Sequence, residues 1–153
     1  MLKHALVLAL SLTLVAPAVK ACTCIGQENV KQARKHSDVV VVGRVIGGER
    51  LVITIADDTM LTSVVMRYTI LVERSFKGRI RGDTLVVYTG LGSGDCGYEF
   101  ERDQRYVIYG NRDPHYNLKR TASTPLYGKN IIWTDICTRT RPYDESEIKE
   151  LGG

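Results

Sequence analysis

Four cysteines carry most of the chemistry that the 153-residue sequence offers. Cys22 and Cys24 sit one residue apart, and Cys96 and Cys137 lie far downstream. A structural zinc site needs four thiolate or imidazole ligands with paired spacing. Here the one close pair is C-x-C, and the histidines beyond residue 21 are His36 and His115, so the chain has no zinc site of its own by this reading. Cys22 and Cys24 also lack the C-x-x-C spacing at a helix start that depresses a thiol pKa for redox work. Gly92-Ser93-Gly94-Asp95-Cys96-Gly97 matches G-x-G-x-x-G, but a dinucleotide site needs a helix directly afterwards to meet the pyrophosphate. Tyr98-Glu99-Phe100 and a turn follow instead. The motif therefore reads as a loop with unusual backbone angles around a disulfide. Asp113 and His115 suggest part of a hydrolytic triad only if a serine sits on a strained turn, and none does; His115 reads as a surface histidine.

Residues 1–21 give the cysteines their context. Lys3 and His4 precede a largely apolar run from Ala5 to Ala16, and Pro17 to Ala21 forms a small-residue exit with Val19 and Ala21 at positions −3 and −1. This is the pattern of an export signal, and the run is shorter than the ~20 apolar residues that span a bilayer. Cleavage after Ala21 would make Cys22 the first residue of the mature protein. Two other readings stay open. Ala16-Pro17-Ala18 also fits a small-x-small site, and Val19-Lys20-Ala21-Cys22 loosely fits a lipoprotein box that would acylate the Cys22 thiol and anchor the chain to a membrane. An even number of cysteines in an exported chain implies two disulfides.

Residues 22–153 are the size of one domain. With Lys3 and Lys20 set aside, the 21 basic residues fall to 19 against 17 acidic, a net charge of +2. That near neutrality argues against a nucleic-acid binder relying on phosphate neutralisation. The eight tyrosines mostly alternate within strands and lack the basic groove of a single-strand platform.

The elements that must hold these residues are mostly strands. Glu28 to His36 reads as a short helix with a thin stripe of Val30 and Ala33. Val39 to Val42 opens a strand buried on both faces, Gly43 suggests a bulge before Arg44-Val45-Ile46, and Gly47-Gly48 reads as a turn. Leu51 to Ala56 is a further strand. In Val64 to Arg74 the residues Val64, Met66, Tyr68, Ile70 and Val72 share one face. Asp83 to Tyr88, Arg105 to Tyr109 and Asn130 to Cys137 complete the strands, with an irregular excursion from Asn111 to Lys129. Pro142 reads as a break and Asp144 to Leu151 as a weak terminal helix. Short strands between frequent turns indicate an all-β barrel or sandwich.

Several of these segments together resemble a known family. Cys22-Thr23-Cys24, the short helix, Ser37-Asp38-Val39-Val40-Val41, Tyr68-Thr69-Ile70, Phe76-Lys77-Gly78, Val87-Tyr88-Thr89, Cys96-Gly97, Tyr106 to Gly110 and Cys137 are similar to the N-terminal, netrin-like domain of the tissue inhibitors of metalloproteinases. The resemblance runs from Cys22 to about Cys137. It implies a five-stranded Greek-key OB-fold barrel over residues 22–153 with one or two short flanking helices. It also implies the disulfides Cys22–Cys96 and Cys24–Cys137. By this resemblance the protein is a secreted inhibitor, not an enzyme, and a monomer (periplasmic if bacterial). Its partner is a zinc metalloendopeptidase whose catalytic zinc is chelated by the Cys22 amine and carbonyl, so that no cofactor of its own is needed. Thr23 then enters the primary specificity pocket, and Cys24, Ile25, Gly94 and Asp95 complete the inhibitory edge. The alternative is a netrin-like binding module or lipid-anchored envelope protein with a non-protease partner. Three features depart from the family. The third disulfide lacks both cysteines, Ile25-Gly26-Gln27 replaces a proline-rich stretch, and the second domain has no counterpart in the sequence.

Overall fold

A computed structural model describes residues 22, 24, 26–54, 62–92, 94–113 and 126–152. The export-signal reading of residues 1–21 lies outside them, as do Thr23, Ile25 and His115. The described residues form one curled β sheet with two short helices, and the all-β expectation holds at that level. Helix α1 (Val30–His36) starts because Asn29 and Gln32 cap each other: Gln32 N donates to Asn29 Oδ1 at 3.0 Å and Asn29 N to Gln32 Oε1 at 3.3 Å. It ends where the Ser37 hydroxyl and N–H both turn back to Ala33 O.

Strand β1 (Val39–Thr54) pairs antiparallel with β2 (Thr62–Lys77) along its whole length, and its first half also pairs with β4 (Arg105–Gly110). On the far side of β2 lies β3 (Thr84–Thr89), which pairs in parallel with β5 (Ile131–Trp133). The two-residue β6 (Arg141–Pro142) pairs with β4, so the sheet order is β5-β3-β2-β1-β4-β6. The sheet curls until Asn111, just past β4, exchanges both backbone hydrogen bonds with Trp133 of β5, at 3.0 and 2.8 Å.

The all-valine start of β1 serves two cores. Val39 and Val41 point inside the curl with Tyr68, Ile70, Leu85, Val87, Ile108 and Ile132. Val40 and Val42 point outward beneath the helices, with Val30 and Ala33 of α1 and Ile148 and Leu151. A run apolar at every position is what burial on both faces requires.

The structure changes three local expectations. Gly47-Gly48 does not turn but continues β1, and a Cβ at Gly48 would stand 2.9 Å from the Tyr68 ring. The strand expected over Asn130–Cys137 stops at Trp133: Thr134 N still reaches Tyr88 O at 3.0 Å, and the chain then turns at Asp135, whose carboxylate accepts from the N–H groups of Cys137 and Thr138. Pro142 closes a short edge strand, a place where proline's missing N–H costs nothing. The described residues thus hold six strands, with β6 beyond the five expected.

Helix α2 (Glu145–Glu150) buries a charge. Glu147 is 2% exposed and accepts from Arg139 Nε and Nη2 at 2.6 and 2.7 Å, from Tyr109 Oη at 2.6 Å and from Arg141 Nη1 at 3.3 Å. Burial pushes its carboxyl up, but the Arg139 and Tyr109 hydrogen bonds outweigh this and hold it below the usual range. A depressed folded pKa adds stability above the unfolded value, near 4.5, and that stability fades as pH falls through the folded value. Glu147→Gln should therefore cost about 3 kcal/mol at neutral pH by leaving Arg139 unpaired. Urea unfolding from pH 6 to 3 should then give a flatter profile than the parent's; a parallel profile would refute the assignment.

Candidate functional site at the amino-terminal edge

Because β3 and β5 run parallel, their C-terminal ends leave the sheet side by side, and the loops that follow carry Cys96 and Cys137. Cys22 is joined to Cys96 and Cys24 to Cys137, with Cα–Cα distances of 5.4 and 5.2 Å. The two loops also touch directly, Ile136 N donating to Cys96 O at 2.9 Å. Cys22 and Cys24 are therefore pinned to neighbouring loops.

An aspartate organises each loop. The Asp95 carboxylate accepts from the N–H groups of Leu91, Gly92 and Gly97 at 2.7, 2.9 and 3.1 Å. Partial burial pushes the Asp95 carboxyl up, and these three donors more than offset it, so the net shift is downward and the loop's anchor stays ionised. The chain can wrap this closely because Gly92 and Gly94 hold φ of 85° and 108°. Cys96 itself sits at φ 60°, a left-handed backbone uncommon for a side-chain-bearing residue. Past the loop, Tyr98 N donates to Thr89 Oγ1 at 2.7 Å, and Phe100 packs into the core 5.0 Å from the Tyr68 ring. No helix follows the glycine motif, as the dinucleotide reading would demand. In the second loop, Asp135 Oδ1 accepts from the N–H groups of Cys137 and Thr138, both at 2.8 Å.

The segment between Cys24 and α1 is also fixed. Gly26 N donates to Cys24 O at 3.0 Å in a tight turn with Gly26 at φ 69°. Arg139 Nη1, on the guanidinium that Glu147 holds, donates to Glu28 O at 2.7 Å. No described residue hydrogen-bonds to the Cys22 main chain. Of the edge residues named from the sequence, Cys22, Cys24, Gly94 and Asp95 meet at this end of the sheet. Asp135 and Arg139 were missed. The D-x-C-T order at residues 135–138 is an Asx-turn signal that points to the first; nothing local points to the second. Among the described residues, no group of three or more His, Cys, Asp and Glu is placed to hold a metal ion.

Fold and site together define a small β domain in which two disulfides pin Cys22 and Cys24 to neighbouring loops. The family model described as "Tissue inhibitor of metalloproteinase" matches residues 20–121, two thirds of the chain. The protein belongs to that family, whose members are secreted inhibitors rather than enzymes. The match includes Cys22, Cys24 and Cys96 and stops short of Cys137 and α2. A comparison with curated proteins returned no match.

Proposed function

We propose that the chain, cleaved after Ala21 and secreted, inhibits zinc metalloendopeptidases by chelating the target's catalytic zinc with the α-amine and carbonyl oxygen of Cys22. The observation that carries this reading is the clamp: Cys22 and Cys24 tied to two loops that are themselves bonded to each other. A catalytic zinc keeps one position for water. An amine and its own carbonyl can displace that water in a five-membered ring. The amine must be neutral to coordinate, which a reference pKa of ~8 makes easy near neutral pH. The clamp lowers the ordering entropy lost on docking. Thr23 enters the specificity pocket, flanked by Ile25, Gly94 and Asp95. The Cys22 sulfur is engaged with Cys96, which supports a free amine over acylation of the thiol. The sheet order, with β4 meeting β5 at Asn111 and Trp133, supports a five-stranded Greek-key OB barrel to which β6 is an addition.

Protein beginning at Cys22 should block at least one open-cleft zinc endopeptidase stoichiometrically and in competition with substrate. Failure across a broad panel at micromolar concentration would refute the reading. Thr23→Gly should weaken inhibition about tenfold, ~1.4 kcal/mol, by emptying the pocket and loosening the segment between the bridges. Inhibition constants for the pair, at unchanged melting temperature, check this.

A further inference from the structure

Two bridges fix Cys22 and Cys24 to their loops, but rotation about the line joining the bridges remains. No described residue hydrogen-bonds to the Cys22 main chain, so a contact further along the chain must oppose that rotation. The turn at Gly26 carries the chain off the line, and Arg139 Nη1 then donates to Glu28 O at 2.7 Å. Arg139 stands two residues after Cys137. One stretch of chain therefore grips the amino-terminal segment twice, by sulfur at Cys24 and by a hydrogen bond at Glu28. Directly afterwards Asn29 caps α1.

The other nitrogens of Arg139 explain why it points there. Nε and Nη2 donate to Glu147 Oε1 and Oε2 at 2.6 and 2.7 Å. A planar guanidinium held side-on by both oxygens of a carboxylate has its plane and its rotation fixed. Nη1 is then the one arm left to reach Glu28 O. Glu147 is held in turn by Tyr109 Oη on Oε1 at 2.6 Å and by Arg141 Nη1 on Oε2 at 3.3 Å. Its helix is seated by Ile148, packed with Val40, Val42 and Val107, and by Arg34 Nη1 of α1, which donates to Leu151 O at 3.2 Å. The family match ends at residue 121, before both Arg139 and Glu147.

We propose that Arg139 is a positioning residue for the inhibitory edge, and that Glu147 on α2 acts through it. The functional part rests on the inhibitor reading; the grip on the segment does not. A helix far along the chain thereby sets the orientation of the residues at Cys22. An edge held at three points is ordered before docking, and releasing one of them moves that ordering cost onto binding. Lysine at position 139 would keep the charge on a single nitrogen. It cannot hold both carboxylate oxygens and Glu28 O in the geometry of the guanidinium.

The test uses disulfide-bonded protein beginning at Cys22, with two readouts: amide exchange over Gly26 to Asn29, and inhibition of the most sensitive protease of the panel. Arg139→Gln should speed that exchange at least about tenfold by opening the segment locally. Glu147→Gln should do the same although it keeps Arg139, and the double variant should add little to either, as expected for two residues in one relay. Inhibition should weaken about three- to tenfold in all three. Melting temperature separates positioning from general stability. The double variant carries no unpaired buried cation and should melt above Glu147→Gln, yet its segment should stay loose and its inhibition weak. Ile70→Val, a core truncation away from the segment, should lower the melting temperature without either effect. Arg139→Lys should behave like Arg139→Gln and serves where the glutamine variants fold poorly. Unchanged exchange in Arg139→Gln or Glu147→Gln overturns the proposal. So does recovery of protection and inhibition together with melting temperature in the double variant. A parent that inhibits no protease defeats the inhibitor reading instead, and exchange alone still decides whether the two residues hold the segment.

Discussion

One alanine placed before Cys22 should abolish inhibition, lowering it at least about 100-fold, or ~2.8 kcal/mol. The added residue turns the α-amine into an amide whose lone pair is delocalised and cannot coordinate zinc. It also pushes atoms into the space the metal fills. The disulfides and the loops behind them are untouched, so the extended protein should fold with the parent's melting temperature and the parent's non-reduced peptide map. Inhibition constants for the two forms, measured against the most sensitive protease of the panel, decide the matter. Equal inhibition by the extended form would remove Cys22 chelation from the account, and the family assignment would survive it. The same experiment tests the free-amine reading of residues 1–21: secreted protein that retains Val-Lys-Ala ahead of Cys22 should behave like the alanine-extended form.

Much of the sheet was legible because burial leaves a period in the sequence. The alternation through Tyr68 and Ile70 and the unbroken Val39–Val42 run reported one buried face and two, and the structure places them so. Glycine was harder to interpret. Gly47-Gly48 looks like a turn from its neighbours alone, yet Gly48 is where the Tyr68 ring crosses bare backbone within β1. That contact is set by a residue twenty positions away. Gly97 is similar: a Cβ there would collide with the backbone of Gly90 and Gly92, so loop closure, not a ligand, accounts for the end of the glycine motif.

The charged residues were the least legible. Arg139 and Glu147 look like ordinary surface residues in sequence, and only the docking of α2 under Tyr109 buries Glu147 and half-buries Arg139. Arg79, Arg81, Arg112 and Lys129 meet around one cleft among the described residues, with nothing periodic in the sequence to join them. The C-x-C edge, by contrast, was conspicuous because its chemistry is packed into three consecutive residues. What the sequence could not supply was the reason those residues are rigid. That reason is the parallel pairing of β3 with β5, which sets the two cysteine loops next to each other.

Removing the bridge nearest the chain's far end should have the largest effect on stability. Cys24→Ser combined with Cys137→Ser opens a loop of 113 residues, for which chain entropy gives an upper estimate of about 5 kcal/mol. The Cys22–Cys96 bridge closes 74 residues, and the logarithmic dependence makes the two differ by only ~0.4 kcal/mol. Midpoints of urea unfolding therefore cannot tell the bridges apart, and local motion must. Asp95 and its three N–H donors hold one cysteine loop without help from sulfur, and Asp135 with Thr138 holds the other. Both loops should keep slow amide exchange in the double serine variant. The segment around Cys24 to Gln27 loses its central anchor and is held only from its two sides, by the Cys22–Cys96 bridge before it and by Arg139 on Glu28 O after it, so exchange there should accelerate. Inhibition should weaken with it, because an edge that must be ordered on docking binds less tightly. A non-reduced peptide map of the parent supplies the premise by joining Cys22 to Cys96 and Cys24 to Cys137. A Cys22–Cys24 link, or free thiols in the secreted protein, would dismantle both the clamp and the mechanism built on it.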